Sequence, residues 1–187
     1  FKPIIIKLKK IIDNDGFGKI HIINMNIFWN RSQEYYDSEK WRGTKKIDGG
    51  IFYNQTSHHL DLLINLFGPL VKVSSFLSKN RKNIEVEDTA VVSLLFKSGL
   101  VGSINVSMLN HSGNYETSLT LVVDKGTLKI GGKNLNIIEY WSFKNNSSNK
   151  ITLTKIDQNY FLKPEKDHEI YYKNVYLSFK NIKNDAA

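Results

Sequence analysis

The chain has 187 residues, enough for one or two domains with a real core. It is 41% hydrophobic with no apolar run long enough to span a bilayer, and it has no Cys, which excludes a disulfide framework or a thiolate metal site. The net charge of +8 suits nucleic acid, an anionic lipid or an anionic small substrate, but the positives are single Lys residues scattered among Asn and Ile. That scatter reads as a coding bias towards Lys, Asn and Ile. No pattern of a common nucleic-acid module is present, and neither nucleic acid nor membrane is expected as a partner. The absence of Cys and of a leader sequence fits a cytoplasmic protein.

Residues 3–14, "PIIIKLKKIIDN", carry apolar side chains at 4, 5, 8, 11 and 12, which is helical spacing. Pro3 suits the start and Gly16 the end of that helix. Residues 19–29, "KIHIINMNIFW", mix Ile20, Ile22, Met25 and Ile27 with polar positions and predict a strand. Residues 30–50 are polar, aromatic and Gly-rich without periodicity. A stretch of that length is functional or disordered, and its Trp, Tyr and Gly content argues against disorder.

From 54 to 67 the period is helical again: Leu60, Leu63, Ile64 and Phe67 form an apolar stripe that Gly68-Pro69 stops. Strands are predicted at 71–78, 88–96, 100–109, 116–123 and 126–131, with weaker ones at 134–143 and 151–156. "KSG" at 97–99 and "DKG" at 124–126 are tight turns between antiparallel partners. Residues 145–149 read as a loop and 165–182 as a closing amphipathic helix. The expected fold is α+β: an open, mostly antiparallel sheet with helices on one face, in a single domain over 1–187. No dinucleotide fingerprint is present. "GFGKIH" at 16–21 has His21 in place of the third glycine and follows a helix instead of a strand.

The stretch "NQTSHHLDLL" (54–63) carries the chemistry. On a helix, Asn54, His58, Asp61 and Asn65 share one stripe opposite the leucines. An Asp three residues on can orient an imidazole, and a His so held can act as a general base near neutral pH. Adjacent helical residues lie roughly 100° apart, so only one of the two His can share that stripe. His58 does; His59 lies nearer the buried side. The residues alone leave a solvated polar stripe and a functional one both open. A metal site is not expected, because neighbouring His residues do not share one ion and no spaced third ligand exists beyond Glu or His168. Ser57 beside His58 lacks the G-x-S-x-G turn of a hydrolase.

The segment "NIFWNRSQEYYDSEKWRGTKKIDGGIFYNQTSHHLDLL" (26–63) resembles the C-terminal domain of the Gfo/Idh/MocA oxidoreductases, two-domain NAD(P)-dependent sugar dehydrogenases. "EVEDTAVVSLLFKSGLVGSINVS" (85–107) is similar to that family's strand pair, and "GTLKIGGKNLNIIEYW" (126–141) to a later hairpin. Within the family, "WNR…YY…WRGT…DGG…NQ…H" looks most like the branch that oxidises the 3-hydroxyl of UDP-N-acetylglucosaminuronic acid for bacterial surface polysaccharides. Thr56 departs from the family's usual Gly or Ala.

The resemblance implies that His58 is the catalytic histidine and that Asn54 lies near the reacting sugar. It implies substrate contacts from Arg31, Tyr36, Arg42 and Thr44 in the long polar segment. Arg suits a carboxylate or a diphosphate, because its planar fork binds two oxygens. It further implies NAD or NADP in a full-length enzyme, held by a Rossmann domain before Phe1, with no cofactor bound by this chain alone. The alternative is a non-catalytic binding or assembly module that keeps the fold without the chemistry. Outward Val, Leu and Ile in "TAVVSLLF" and "SLTLVV" predict a homodimer or homotetramer through the sheet face.

Overall fold

The computed structural model describes residues 3–132, 134–143, 172, 176 and 177. The predicted strand at 151–156 and loop at 145–149 lie outside the described residues, as does all but three positions of the predicted helix at 165–182. The chain divides into two compact units: Phe1–Gly16 with Phe143–Ala187, and Phe17–Ser142. The first contains helix α1 (Pro3–Asp13), whose Ile4, Leu8 and Ile11 are buried at the predicted helical spacing.

The second unit is built on seven strands: β1 (Ile20–Phe28), β2 (Leu70–Ser78), β3 (Thr89–Phe96), β4 (Val101–Ser107), β5 (Glu116–Val123), β6 (Gly126–Gly131) and β7 (Ile137–Phe143). They form one sheet in the order β2-β3-β4-β1-β5-β6-β7. β1 lies at the centre, parallel to β4 and antiparallel to β5. The pairings β2–β3, β3–β4 and β5–β6 are antiparallel. Between β1 and β2 the chain makes a short helix α2 (Gln33–Asp37), a π-helical turn (Ile51–Gln55) and helix α3 (Ser57–Phe67). β7 begins three residues later than the pattern suggested, because Gly132 and Leu135 adopt positive φ and turn the chain first.

One sheet face is the core. Ile23, Met25 and Ile27 of β1, Ile104 and Val106 of β4, Leu119 and Leu121 of β5, and Leu128 and Ile130 of β6 are each no more than 1% exposed. Burying each such side chain contributes about 1.5–3 kcal/mol. α3 covers part of this face, with Phe67 edge-on to Phe96 of β3 at 5.9 Å between ring centroids. Its buried stripe is His59, Leu63 and Leu66, whereas Ile64 is 45% exposed. The stripe is rotated from the predicted 60, 63, 64 and 67, because the helix starts only at Ser57. Gly68 caps α3 at φ 88, a backbone state that suits glycine.

The opposite face is more polar than the apolar runs suggested. Strand alternation sends Thr89, Val91, Ser93 and Leu95 outward from β3, and Ser118, Thr120 and Val122 outward from β5. Across the centre, Asn24 donates to Ser103, and Asn105 to Asn26 (both 2.9 Å). Ser118 and Asn26 both donate to Glu116, and Lys129 bridges Glu116 (3.2 Å) and Glu139 (2.9 Å). Burial pushes the Glu116 carboxyl up, but the Ser118 hydroxyl, the Lys129 ammonium and the Asn26 amide outweigh it and hold it below its ordinary 4.5. A depressed carboxyl stabilises the fold above its unfolded pKa and loses that contribution as pH falls through the folded value. Stability measured by denaturant titration should therefore drop as pH is taken below the ordinary carboxylate range. Glu116→Gln should flatten that part of the profile; an unchanged slope would remove Glu116 as its source.

Candidate functional site

Three segments of the second unit meet at the carboxyl end of β1. Trp29 and Arg31 follow the strand directly, and their amides donate to Ser107 and Met108 (2.8 and 2.9 Å). Ser32 caps α2 by accepting the Tyr35 amide. That cap sets the α2 register and sends its two adjacent tyrosines to different surroundings. Tyr36 is 5% exposed, and burial, followed by the nearby Asp48 and Asp88 charges, pushes its phenol to about 12. It belongs to the core, which corrects the expectation that it contacts substrate. Its neighbour Tyr35 points elsewhere, because one helical step of roughly 100° separates them. The Tyr35 hydroxyl accepts from Gln55 Nε2 at 3.0 Å.

Gln55, 8% exposed, also accepts from Arg31 Nε at 2.9 Å. The Arg31 guanidinium lies over both Trp29 and Tyr35, 5.3 and 5.4 Å from their centroids, and donates to Asn30 O and Asn114 Oδ1. Arg42 shares the Tyr35 ring, 4.2 Å from its centroid, and lies 5.4 Å from that of Trp41. It donates to Tyr35 O and Ser38 Oγ. Neither guanidinium has a carboxylate partner among the described residues. Two cations held rigid by aromatic rings and neutral acceptors form a surface ready for an anion.

His58 is exposed on the first turn of α3, and His59 beside it is 5% exposed. The His58 ring stacks on Trp29 at 6.3 Å with an interplanar angle of 27°. Asp61 does not play the orienting part expected of it: it is exposed and makes no hydrogen bond or ion pair among the described residues. Asn54 also differs from expectation. It belongs to the π-helical turn, not to α3, and Thr56 (φ −124, ψ 3) breaks the helix between them. The continuous stripe through 54 and 58 is therefore interrupted.

The Asn54 amide donates to Asp48, which is 7% exposed and also accepts the Gly43 amide at 2.8 Å. Thr44 closes a turn instead of facing outward: its hydroxyl donates to Trp41 O at 2.6 Å, and its carbonyl accepts the amides of Asp48 and Gly49. Thr56 accommodates its departure from the small residue usual there by donating its hydroxyl to Ile51 O at 2.9 Å. The structure thus gathers His58, Arg31 and Arg42 with three residues that the sequence reading had not singled out: Trp29, Tyr35 and Gln55. "WNR" and "NQ" stood in the quoted motifs, but nothing in their spacing showed which side chains converge.

Both glycine-rich stretches serve internal contacts. A Cβ on Gly50 (φ 94) would collide with the Glu87 carboxylate, which accepts the Ile51 amide at 3.1 Å. A Cβ on Gly18 would lie 2.9 Å from Asp124. These residues do not fit a dinucleotide phosphate cradle. Among the described residues no three His, Asp or Glu gather as a metal site, and no helix is long and apolar enough to cross a membrane.

The architecture is a mostly antiparallel sheet, half covered by α3, with His58 exposed on the first turn of that helix. The chain belongs to the GFO/IDH/MocA C-terminal domain family, whose model matches residues 5–129. It is similar to the WlbA dehydrogenase of Bordetella pertussis, solved with NADH and UDP-GlcNAcA: 36% identity, a TM-score of 0.90, and coverage of 99% of this chain and 54% of that one. The WlbA dehydrogenase of Chromobacterium violaceum, in complex with the same two ligands, is 39% identical with a TM-score of 0.80, covering 94% and 49%. Uncharacterized oxidoreductase sll0816 of Synechocystis sp. is 31% identical over 107 residues, 51% of this chain and 29% of its own length. The chain thus spans about half the length of the WlbA structures.

Proposed function

We propose that residues 1–187 are the substrate-binding and assembly domain of an NAD-dependent dehydrogenase that oxidises the 3-hydroxyl of a UDP-N-acetylglucosaminuronic acid-type nucleotide sugar. The pathway would be cytoplasmic and lead to bacterial surface polysaccharide, including lipopolysaccharide. The observation that carries this reading is an exposed His58 linked through the rings of Trp29 and Tyr35 to two guanidiniums with no carboxylate partner among the described residues, in a chain 36–39% identical to dehydrogenases solved with UDP-GlcNAcA. A uronate carboxylate or a diphosphate meets the charge of Arg31 and Arg42. Asn54, anchored by Asp48, lies on the turn leading to His58 and contacts the sugar. His58 Nδ1 or Nε2 accepts the proton of the 3-hydroxyl as the C3–H bond breaks. The nicotinamide, held by a part of the protein outside these residues, supplies the hydride acceptor when bound.

The test is spectrophotometric. The full-length protein should reduce NAD with UDP-N-acetylglucosaminuronic acid and fail with UDP-N-acetylglucosamine, which lacks the carboxylate. Equal rates with both would sink the carboxylate assignment; no reduction with either would favour the non-catalytic module. In calorimetry the 187-residue chain alone should show no micromolar affinity for NAD.

The outward sheet face supports the assembly part. Val122, Ile22, Val101 and Leu95 are in register across β5, β1, β4 and β3, forming an apolar row of which the first three are 38%, 44% and 46% exposed. Phe76 (83%) and Val91 (49%) add a second apolar patch. Such a surface suits a face-to-face homodimer or a homotetramer. Light scattering at roughly tens of micromolar should give a multiple of the chain mass; a monomer there would contradict the interface.

A further inference from the structure

We infer that Trp29 is the positioning residue for the His58 imidazole, holding the ring by a stack that is itself locked by a buried threonine. The inference rests on the reading of His58 as proton acceptor. Proton transfer needs the His58 nitrogen within hydrogen-bond reach of the substrate hydroxyl, so the orientation of the ring matters. The side chain expected to restrain it, Asp61, is exposed and makes no hydrogen bond or ion pair among the described residues. Trp29 supplies a restraint by a different route.

Its backbone is fixed on both sides, donating to Ser107 O at 2.8 Å and accepting from the Asn110 amide at 3.1 Å. Its indole Nε1 donates to Thr117 Oγ1 at 2.8 Å, and Thr117 is 2% exposed. That single bond sets the ring's rotation in the frame of β5. The indole then meets three groups. His58 lies nearly parallel to it, His59 meets it edge-on at 5.5 Å, and the Arg31 guanidinium rests over it. A mobile indole would therefore loosen the histidine, whereas Arg31 keeps its bonds to Gln55, Asn30 and Asn114. The chain of contacts runs from the sheet core through Thr117 and Trp29 to His58, so the rigidity of β5 reaches the exposed ring.

The experiment compares Trp29→Leu, Trp29→Phe and Thr117→Val in the full-length protein. It uses turnover, sugar-nucleotide KM and NMR of carbon-13-labelled histidine. Trp29→Leu should lower kcat by about 10–100-fold, the scale of an ångström-sized misplacement, with KM changed far less. It should also move the His58 ring-proton resonance, which an indole neighbour shifts through its ring current. Trp29→Phe keeps a stacking ring and should recover most of kcat. Thr117→Val keeps the indole and frees it, so it should fall between the two, and it provides the comparison if Trp29→Leu does not fold. An unchanged kcat in both Trp29→Leu and Thr117→Val, or a loss carried wholly by KM with the His58 resonance unmoved, would overturn the inference. The resonance reports the stack without reference to turnover. Full activity of His58→Asn would thus mark failure of the base assignment, while an unmoved resonance would mark failure of the positioning role.

Discussion

His58→Asn is expected to lower turnover of the full-length oxidoreductase by about 10²–10⁴, the usual worth of a positioned general base. Asn approximates the shape of the imidazole and keeps a polar tip, but it cannot take a proton near neutral pH. The nucleotide sugar would still be held by Arg31 and Arg42, so its affinity should change little. His59→Asn makes the contrast. His59 is 5% exposed and lies edge-on to Trp29, so the substitution removes ring contacts from a packed site and should cost about 1–3 kcal/mol of stability. Turnover per folded molecule should remain near that of the parent. Measuring kcat, substrate affinity and unfolding for both variants separates the roles. Loss of turnover in His59→Asn with an active His58→Asn would exchange the two histidines and discard the proposed site.

Asp88→Ala is expected to produce a large loss of stability, about 3 kcal/mol, with a fall in melting temperature of roughly 10 °C. Asp88 is 0% exposed at the start of β3. Its carboxylate accepts the amides of Asn80 and Arg81 at 2.8 and 2.7 Å and the Asn80 side chain at 2.9 Å. Removing it leaves those donors without a charged acceptor in a place water reaches poorly, the costly case for hydrogen-bonding groups. The consequence extends to the candidate site. The loop held by Asp88 carries Arg81, whose Nε donates to Arg31 O at 3.2 Å, and Lys82, whose carbonyl and amide pair with the Gln33 side chain of α2. Substrate affinity should weaken along with stability. A melting temperature within a degree or two of the parent would show that the loop finds other partners for those amides.

Most of the secondary structure was legible because its signals are local. The alternation in 116–123 and the Gly turn at 124–126 predicted β5 and the start of β6 at their observed limits. The α3 region was legible as a helix but not in its start. The periodicity from 54 onward cannot distinguish a π-helical turn followed by an α-helix from one continuous helix, and the break at Thr56 depends on its hydroxyl reaching Ile51 O. That small difference moved Asn54 off the His58 stripe and turned Ile64 outward. The same limit applied to the tyrosines. "YY" offers two phenols, and the cap at Ser32 together with the packing of α2 decided that Tyr36 is interior and Tyr35 joins Arg31 through Gln55.

By itself, the amino-acid sequence determined the element types, the family and the separation of the two histidines. The first and third follow from spacing along the chain (a period of two or of about 3.6, glycine at turns, and roughly 100° between helical neighbours), and the family from the resemblance of the motifs in 26–63, 85–107 and 126–141. Only the tertiary structure decided what surrounds His58. Trp29, Thr117 and His58 are far apart in sequence and carry no mutual signal. They meet because β1 pairs with β5, with Phe28 opposite Glu116. The indole one residue past the end of β1 then falls beside Thr117, one residue into β5, and His58 on the first turn of α3 stacks on that ring.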